Sequence, residues 1–93
     1  MSTSRPSIVI MGNKPIMNYV VACLTLFNED AETVTIRARG KHINKAVDTV
    51  GLLQRVFLPN LRVVNAATST DVLTRTDGNQ AQVSVIKIVI AAN

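Results

Sequence analysis

Near its C-terminus the chain carries two long strand-like segments, Leu61–Thr74 and Gln80–Ala91, with Thr76-Asp77-Gly78-Asn79 between them. Asp-Gly flanked by such residues is the strongest short-range signal for a β-hairpin. The outer part of this hairpin, Thr74 to Gln82, is almost wholly polar. Its base is apolar on both faces, with Val83, Val85 and Val89 on one and Ile86, Ile88 and Ile90 on the other. A tip that projects into solvent from a buried base is therefore expected. One face of the base would pack on helices, and the other would need a second cover, such as a partner subunit.

The first half of the chain reads as two strand–helix units. Ser7–Met11 is a short apolar strand, of the kind covered on both faces in the middle of a sheet. Pro15–Asn28 reads as a helix with a core stripe of Met17, Val20, Val21, Leu24 and Phe27. Thr33–Arg39 alternates as a half-buried strand does, and Gly40 breaks it. Lys41–Phe57 reads as a second helix with a stripe of Ile43, Ala46, Val47, Val50, Leu53 and Phe57, and Pro59 ends it. Gly51 within it either permits close packing of another backbone or is simply tolerated, at roughly 1 kcal/mol relative to Ala. The expected fold is α+β in the order β-α-β-α-β-β: a four-stranded mixed sheet with two helices packed against it and a long projecting hairpin. The 93 residues make one domain, 1–93, with 1–6 as a flexible tail and about 74–82 as the hairpin tip.

Topology turns the charges into a surface. In a βαβ unit the two strands are parallel, so the turns that follow them lie at one edge of the sheet, beside both helix N-termini. Lys14 follows the first strand in Gly12-Asn13-Lys14-Pro15. Gly12 permits a sharp turn, and Pro15 suits the first helical position. Arg37, Arg39 and Lys41 lie at the end of the second strand, and Lys45 lies in the next helix. If the third strand is also parallel, Arg75 joins them. That collects six of the ten Lys and Arg residues where helix N-termini favour phosphate. The acidic turn Glu29–Glu32 goes to the opposite edge. A net charge of +4 fits a nucleic-acid partner or an acidic surface. Scarce aromatics (Tyr19, Phe27 and Phe57) argue against base stacking as the main binding mode.

Other chemistries find little support. Asp48, Asp71 and Asp77 are too scattered for a paired-carboxylate site, and His42 has no evident Ser-His-Asp partners. The Gly12 loop lacks the Gly-x-x-x-x-Gly-Lys-Ser/Thr spacing of a P-loop. Cys23 and His42 are the only residues of their kinds, so no disulfide, metal site or cofactor is expected, and Cys23 reads as a buried, inert thiol. No apolar run reaches transmembrane length and no signal-peptide core is evident, which leads to the expectation of a cytoplasmic protein.

Gly12-Asn13-Lys14-Pro15-Ile16-Met17-Asn18-Tyr19-Val20 resembles the loop–helix signature of the Alba (Sac10b) family. Arg37-Ala38-Arg39-Gly40-Lys41 with Ile43-Asn44-Lys45-Ala46-Val47-Asp48 resembles its second signature. Phe57-Leu58-Pro59 and Asp77-Gly78 with Val83-Ser84 continue the match over nearly the whole chain. The resemblance implies a dimeric archaeal chromatin protein that coats double-stranded DNA without sequence preference, and that is no enzyme. Its fold would resemble the C-terminal domain of the third bacterial translation initiation factor. It implies DNA-backbone contacts by Lys14, Arg39 and Lys41; together with the charge map, the expected DNA-binding set is Asn13, Lys14, Arg37, Arg39, Lys41, Asn44, Lys45 and Arg75. Hairpin arms tipped by Thr76, Asp77, Gly78, Asn79 and Gln82 would approach the minor groove. Phe57 would lie where dimers meet neighbouring dimers.

The alternative is an RNA-binding protein, acting in RNA stability or as a ribonucleoprotein subunit. A homodimer is implied, with a heterodimer with a paralogue as a further possibility, and no membrane partner. Two features depart from the family pattern. Asn13 stands where an acetylated lysine is common, and Asn79 and Gln82 stand where the returning strand commonly carries arginines. The chain thus resembles a divergent second paralogue, with weaker phosphate contact by the arm or a shifted balance between DNA and RNA.

Overall fold

The computed structural model describes residues 7–92; the tail expected at 1–6 lies outside the described residues. Its elements are β1 (Ile8–Ile10), α1 (Ile16–Asn28), β2 (Val34–Arg39), α2 (Ile43–Leu52), β3 (Arg62–Thr74) and β4 (Gln80–Ala91). A 3₁₀ turn, Gly40–His42, leads into α2, and a π-helical turn, Leu53–Phe57, ends it. The helical stretch expected over 41–57 is therefore continuous but changes its winding twice.

The sheet order is β1-β2-β4-β3. β1 is parallel to β2, and β4 is antiparallel to both β2 and β3. β3 thus runs in the same direction as β1 and β2, and all three end at one edge. The expected mixed four-stranded sheet in β-α-β-α-β-β order is what forms. β1, however, is an edge strand, and its short apolar run is not covered on both faces. Val9 is buried, whereas Ile8 and Ile10 are 47% and 70% exposed.

Ladder partners share a face of the sheet. Val9, Ile36 and Ile88 line up on one face, flanked by Val34 with Ile90 and by Ala38 with Ile86. Both helices cover this face through Tyr19, Val20, Cys23, Ala46, Val50 and Leu53. Thr49, fully buried among them, satisfies its hydroxyl by donating to the Lys45 carbonyl at 2.8 Å. The helical stripes are rotated from those expected. Met17, Val21, Val47 and Phe57 are exposed, because Tyr19, Cys23 and Thr49 take the inward positions. Gly51 is of the tolerated kind, since a Cβ there meets nothing within 4 Å. α1 ends in a left-handed turn at Asp30 (φ 68°), whose successor Ala31 donates to the Leu26 carbonyl at 3.1 Å.

Beyond Arg39, the last β2 residue paired to β4, the β3–β4 ladder continues alone from Thr70↔Ser84 to Thr74↔Gln80. At about 3.3 Å per residue this two-stranded arm reaches some 15 Å past the sheet. It accounts for extents of 46 × 33 × 21 Å and a radius of gyration of 14.6 Å, where about 13 Å suits a compact 100-residue domain. Gly78 closes the arm at φ +86°, while Asp77 keeps a negative φ. The Gly78 N–H donates to the Arg75 carbonyl (2.9 Å) and the Arg75 N–H to the Asn79 carbonyl (2.7 Å), so Gly78 supplies the left-handed residue after a tight turn.

Candidate nucleic-acid interface

The edge where β1, β2 and β3 end carries three groups of the expected residues. The first is the loop between β1 and α1. Asn13 and Lys14 are exposed at its crest. Pro15 is the N-cap of α1 (φ −59°, ψ 154°) and not its first helical residue. Gly12 does not have the left-handed backbone expected of a turn glycine; positive φ among the described glycines occurs at Gly40 and Gly78. What Gly12 provides is close approach. A Cβ there would stand 3.3 Å from the Tyr19 hydroxyl oxygen, which accepts the Gly12 N–H at 2.7 Å and the Lys14 N–H at 3.2 Å. Those two amides face inward, so the anion-favouring character of the loop rests on the Lys14 side chain and the start of α1.

Lys45 belongs to the same group. Its Nζ donates to the Gly12 carbonyl at 2.9 Å and to the Lys14 carbonyl at 2.8 Å, and lies 5.8 Å from the centre of the Tyr19 ring. Two of its three N–H donors are therefore engaged on the loop. Composition and spacing do not reveal this, because Lys45 reads as one more cation at a helix start. The available signal is Tyr19, a polar-tipped aromatic on the inward face of an apolar helix, which needs a partner when buried.

The second group lies on the sheet face that the helices leave open. Arg37 and Arg39 project there, both exposed. Lys87 stands directly opposite Arg37, and Val85 opposite Arg39. Lys87 is not among the residues the charge map singles out; its alternation with Val85 and Val89 on β4 is the signal that places it. Arg37 and Arg39, with Ile10, His42, Asp71 and Val85, line a cleft of about 370 Å³. Val85 is buried on this face without a helix above it, and Val89 is half-buried. Lys41 and Asn44, both exposed, continue the surface along the 3₁₀ turn into α2. Gly40 makes that turn at φ +53°, the left-handed region that favours glycine.

The third group is the arm. Arg75, Thr76, Asp77, Gly78 and Asn79 are exposed at its end, and Gln82, paired with Val72, is exposed on its returning strand. Asp77 accepts the Asn79 N–H at 3.0 Å and its side-chain amide at 3.2 Å. The tip acid is thus tied into the turn.

Phe57 is not at this edge. α2 starts there and runs away from it, so Phe57, 39% exposed, lies at the far end with Val56 beside it. The acidic turn Glu29–Glu32 follows the far end of α1, away from the cations, as expected. Cys23 is buried, and desolvation pushes its thiol up to about 11. Among the described residues, no three His, Cys, Asp or Glu side chains gather as metal ligands, and no helix is long and apolar enough to cross a membrane.

A family model described as Alba matches residues 6–71. The "DNA/RNA-binding protein Alba" of Methanocella arvoryzae is 43% identical over 82 residues, which are 88% of this chain and 85% of that protein. The "DNA/RNA-binding protein Alba 1" of Archaeoglobus fulgidus is 45% identical over 83 residues, 89% of this chain and 92% of its own. Among solved structures, Alba from Thermoplasma volcanium superposes with a TM-score of 0.86 at 38% identity, over 91% of this chain and 99% of that one. ALBA1 from Trypanosoma brucei superposes at 0.76 with 26% identity, over 95% and 71% respectively.

Proposed function

The chain belongs to the Alba family, and from that premise we propose that it coats double-stranded DNA without sequence preference, as a dimer, at the chromosome. The observation that carries this reading is the exposed Lys14, Arg37, Arg39, Lys41 and Arg75 at one edge, with a projecting arm leaving from it. Such a surface gains affinity by neutralising phosphates and releasing counterions. Reading base edges requires a helix or ribbon seated in the major groove. Here the helix N-termini meet the backbone end-on, which favours contact with phosphates over contact with bases.

β3 supports the dimer. It is an edge strand exposed along nearly its whole length, with Val63, Val64, Val72 and Leu73 each at least 40% exposed. A second subunit covering it would hide an edge that otherwise invites aggregation. The two arms would then reach along the duplex towards the minor groove, and Phe57, away from the phosphate-facing edge, would be free to meet a neighbouring dimer.

RNA is the second reading, favoured by the joint DNA/RNA naming of both curated relatives and by the uncharged Asn79 and Gln82 on the arm. Competition between equal-length DNA and RNA duplexes for the purified protein tests the choice. Preferential retention of DNA supports the chromatin reading, and preferential retention of RNA replaces it. Magnesium-dependent cleavage of either strand, abolished by a single substitution, would displace both in favour of an enzyme.

A further inference from the structure

The loop that carries Lys14 is built almost entirely on side chains from outside it. Its Gly12 and Lys14 amides both donate to the Tyr19 hydroxyl, and the carbonyls of the same two residues both accept from Lys45. Tyr19 comes from α1, and Lys45 comes from α2, over thirty residues beyond the loop it holds. The two clamping groups also meet each other, ammonium against ring, within cation–π range. Gly12 is part of the device, because a side chain there would crowd the hydroxyl that closes it.

We infer that Lys45 and Tyr19 are positioning residues that preset the Asn13–Lys14 loop for the phosphate backbone; this rests on the nucleic-acid reading above. A loop without the clamp has to be ordered when the duplex arrives, and that ordering subtracts from affinity. With the clamp, the ordering is done during folding, through the packing of α1 on α2. The clamp differs from a direct phosphate contact in two ways. Its loss lowers affinity without removing a released counterion, and it acts only while Lys14 is there to be positioned.

The test uses Tyr19→Phe, which keeps the buried ring and removes only the hydroxyl, together with Lys45→Met and Lys14→Ala singly and in combination. Binding is read on a random-sequence duplex over a salt series, and hydrogen exchange at the Gly12 and Lys14 amides is read without DNA. Tyr19→Phe is expected to speed exchange at both amides and weaken binding about three- to tenfold at every salt concentration, with the salt slope unchanged. In the Lys14→Ala background, Tyr19→Phe and Lys45→Met are expected to have almost no further effect. Wild-type affinity in Tyr19→Phe overturns the inference, as does a Lys45→Met loss that persists undiminished beside Lys14→Ala, which makes Lys45 a contact in its own right. A wild-type protein that binds neither DNA nor RNA overturns the inference together with the reading beneath it, even where the exchange data show the clamp. Should Lys45→Met fail to fold, the Tyr19→Phe comparison still decides.

Discussion

At the scale of single residues, the interface depends on where each charge is anchored. Lys14 is exposed on a loop held from behind, so Lys14→Glu should weaken binding to any duplex by at least about tenfold while leaving the melting temperature within a few degrees. Gel-shift titration beside thermal denaturation checks both halves. Asp71 has the opposite sign. It shares a cleft with Arg37 and Arg39, where its carboxylate repels an incoming phosphate. At about 8 Å in water that repulsion is roughly 0.5 kcal/mol, so Asp71→Asn should tighten binding about twofold at low salt, and less as salt rises. Cys23 bears on stability. Its thiol titrates near 11 in the fold against an ordinary value of 9.0, so between these values the folded state holds the proton more tightly. Stability from this group is complete below about pH 9 and falls as pH rises toward 11. Denaturant midpoints across that range should fall in the wild type more than in Cys23→Ala. Lys14, Arg37, Arg39, Lys41 and Arg75 are legible from sequence because strand direction assigns their edge, whereas Lys87 is placed beside them only by its pairing with Arg37. The Tyr19–Lys45 clamp was not, because it joins residues whose meeting depends on how α1 packs on α2.

Elements carry a different part of the account. The order of strands and helices follows from periodicity and from Asp77-Gly78, and the structure agrees with it. Facing was harder to read. α1 is apolar nearly all round, so its sequence supports several core stripes, and only the sheet beneath selects Tyr19, Val20 and Cys23. β1 reads as a central strand because it is wholly apolar, yet nothing pairs with its outer side in the described sheet. The arm depends on Gly78 at φ +86°. Gly78→Val should disorder the tip and lower affinity for duplex DNA modestly, about two- to fivefold, because the body of the interface stays intact. Amide NMR shifts confined to residues near the tip would mark the change as local. The π turn that ends α2 leaves Phe57 exposed away from the arm. Phe57→Ala should therefore reduce cooperativity between bound dimers more than the affinity of one dimer, which titrations on short and long duplexes separate. Loss of the folded dimer would show instead that Phe57 supports the core.

The whole molecule is asymmetric in charge and shape: Lys14, Arg37, Arg39, Lys41, Arg75, both helix starts and the arm at one edge, the acidic turn Glu29–Glu32 and Phe57 away from it. On the proposed reading, that asymmetry makes electrostatics, and not recognition of a sequence, the source of affinity. The most direct test is the salt dependence of binding to a random-sequence DNA duplex, with an equal-length RNA duplex in parallel. With roughly four to six phosphates engaged per subunit and two subunits, log K should fall linearly with log salt at a slope of roughly −7 to −11 on DNA. A slope near zero, or no binding at all, would contradict the account and leave the basic edge as a solvated face.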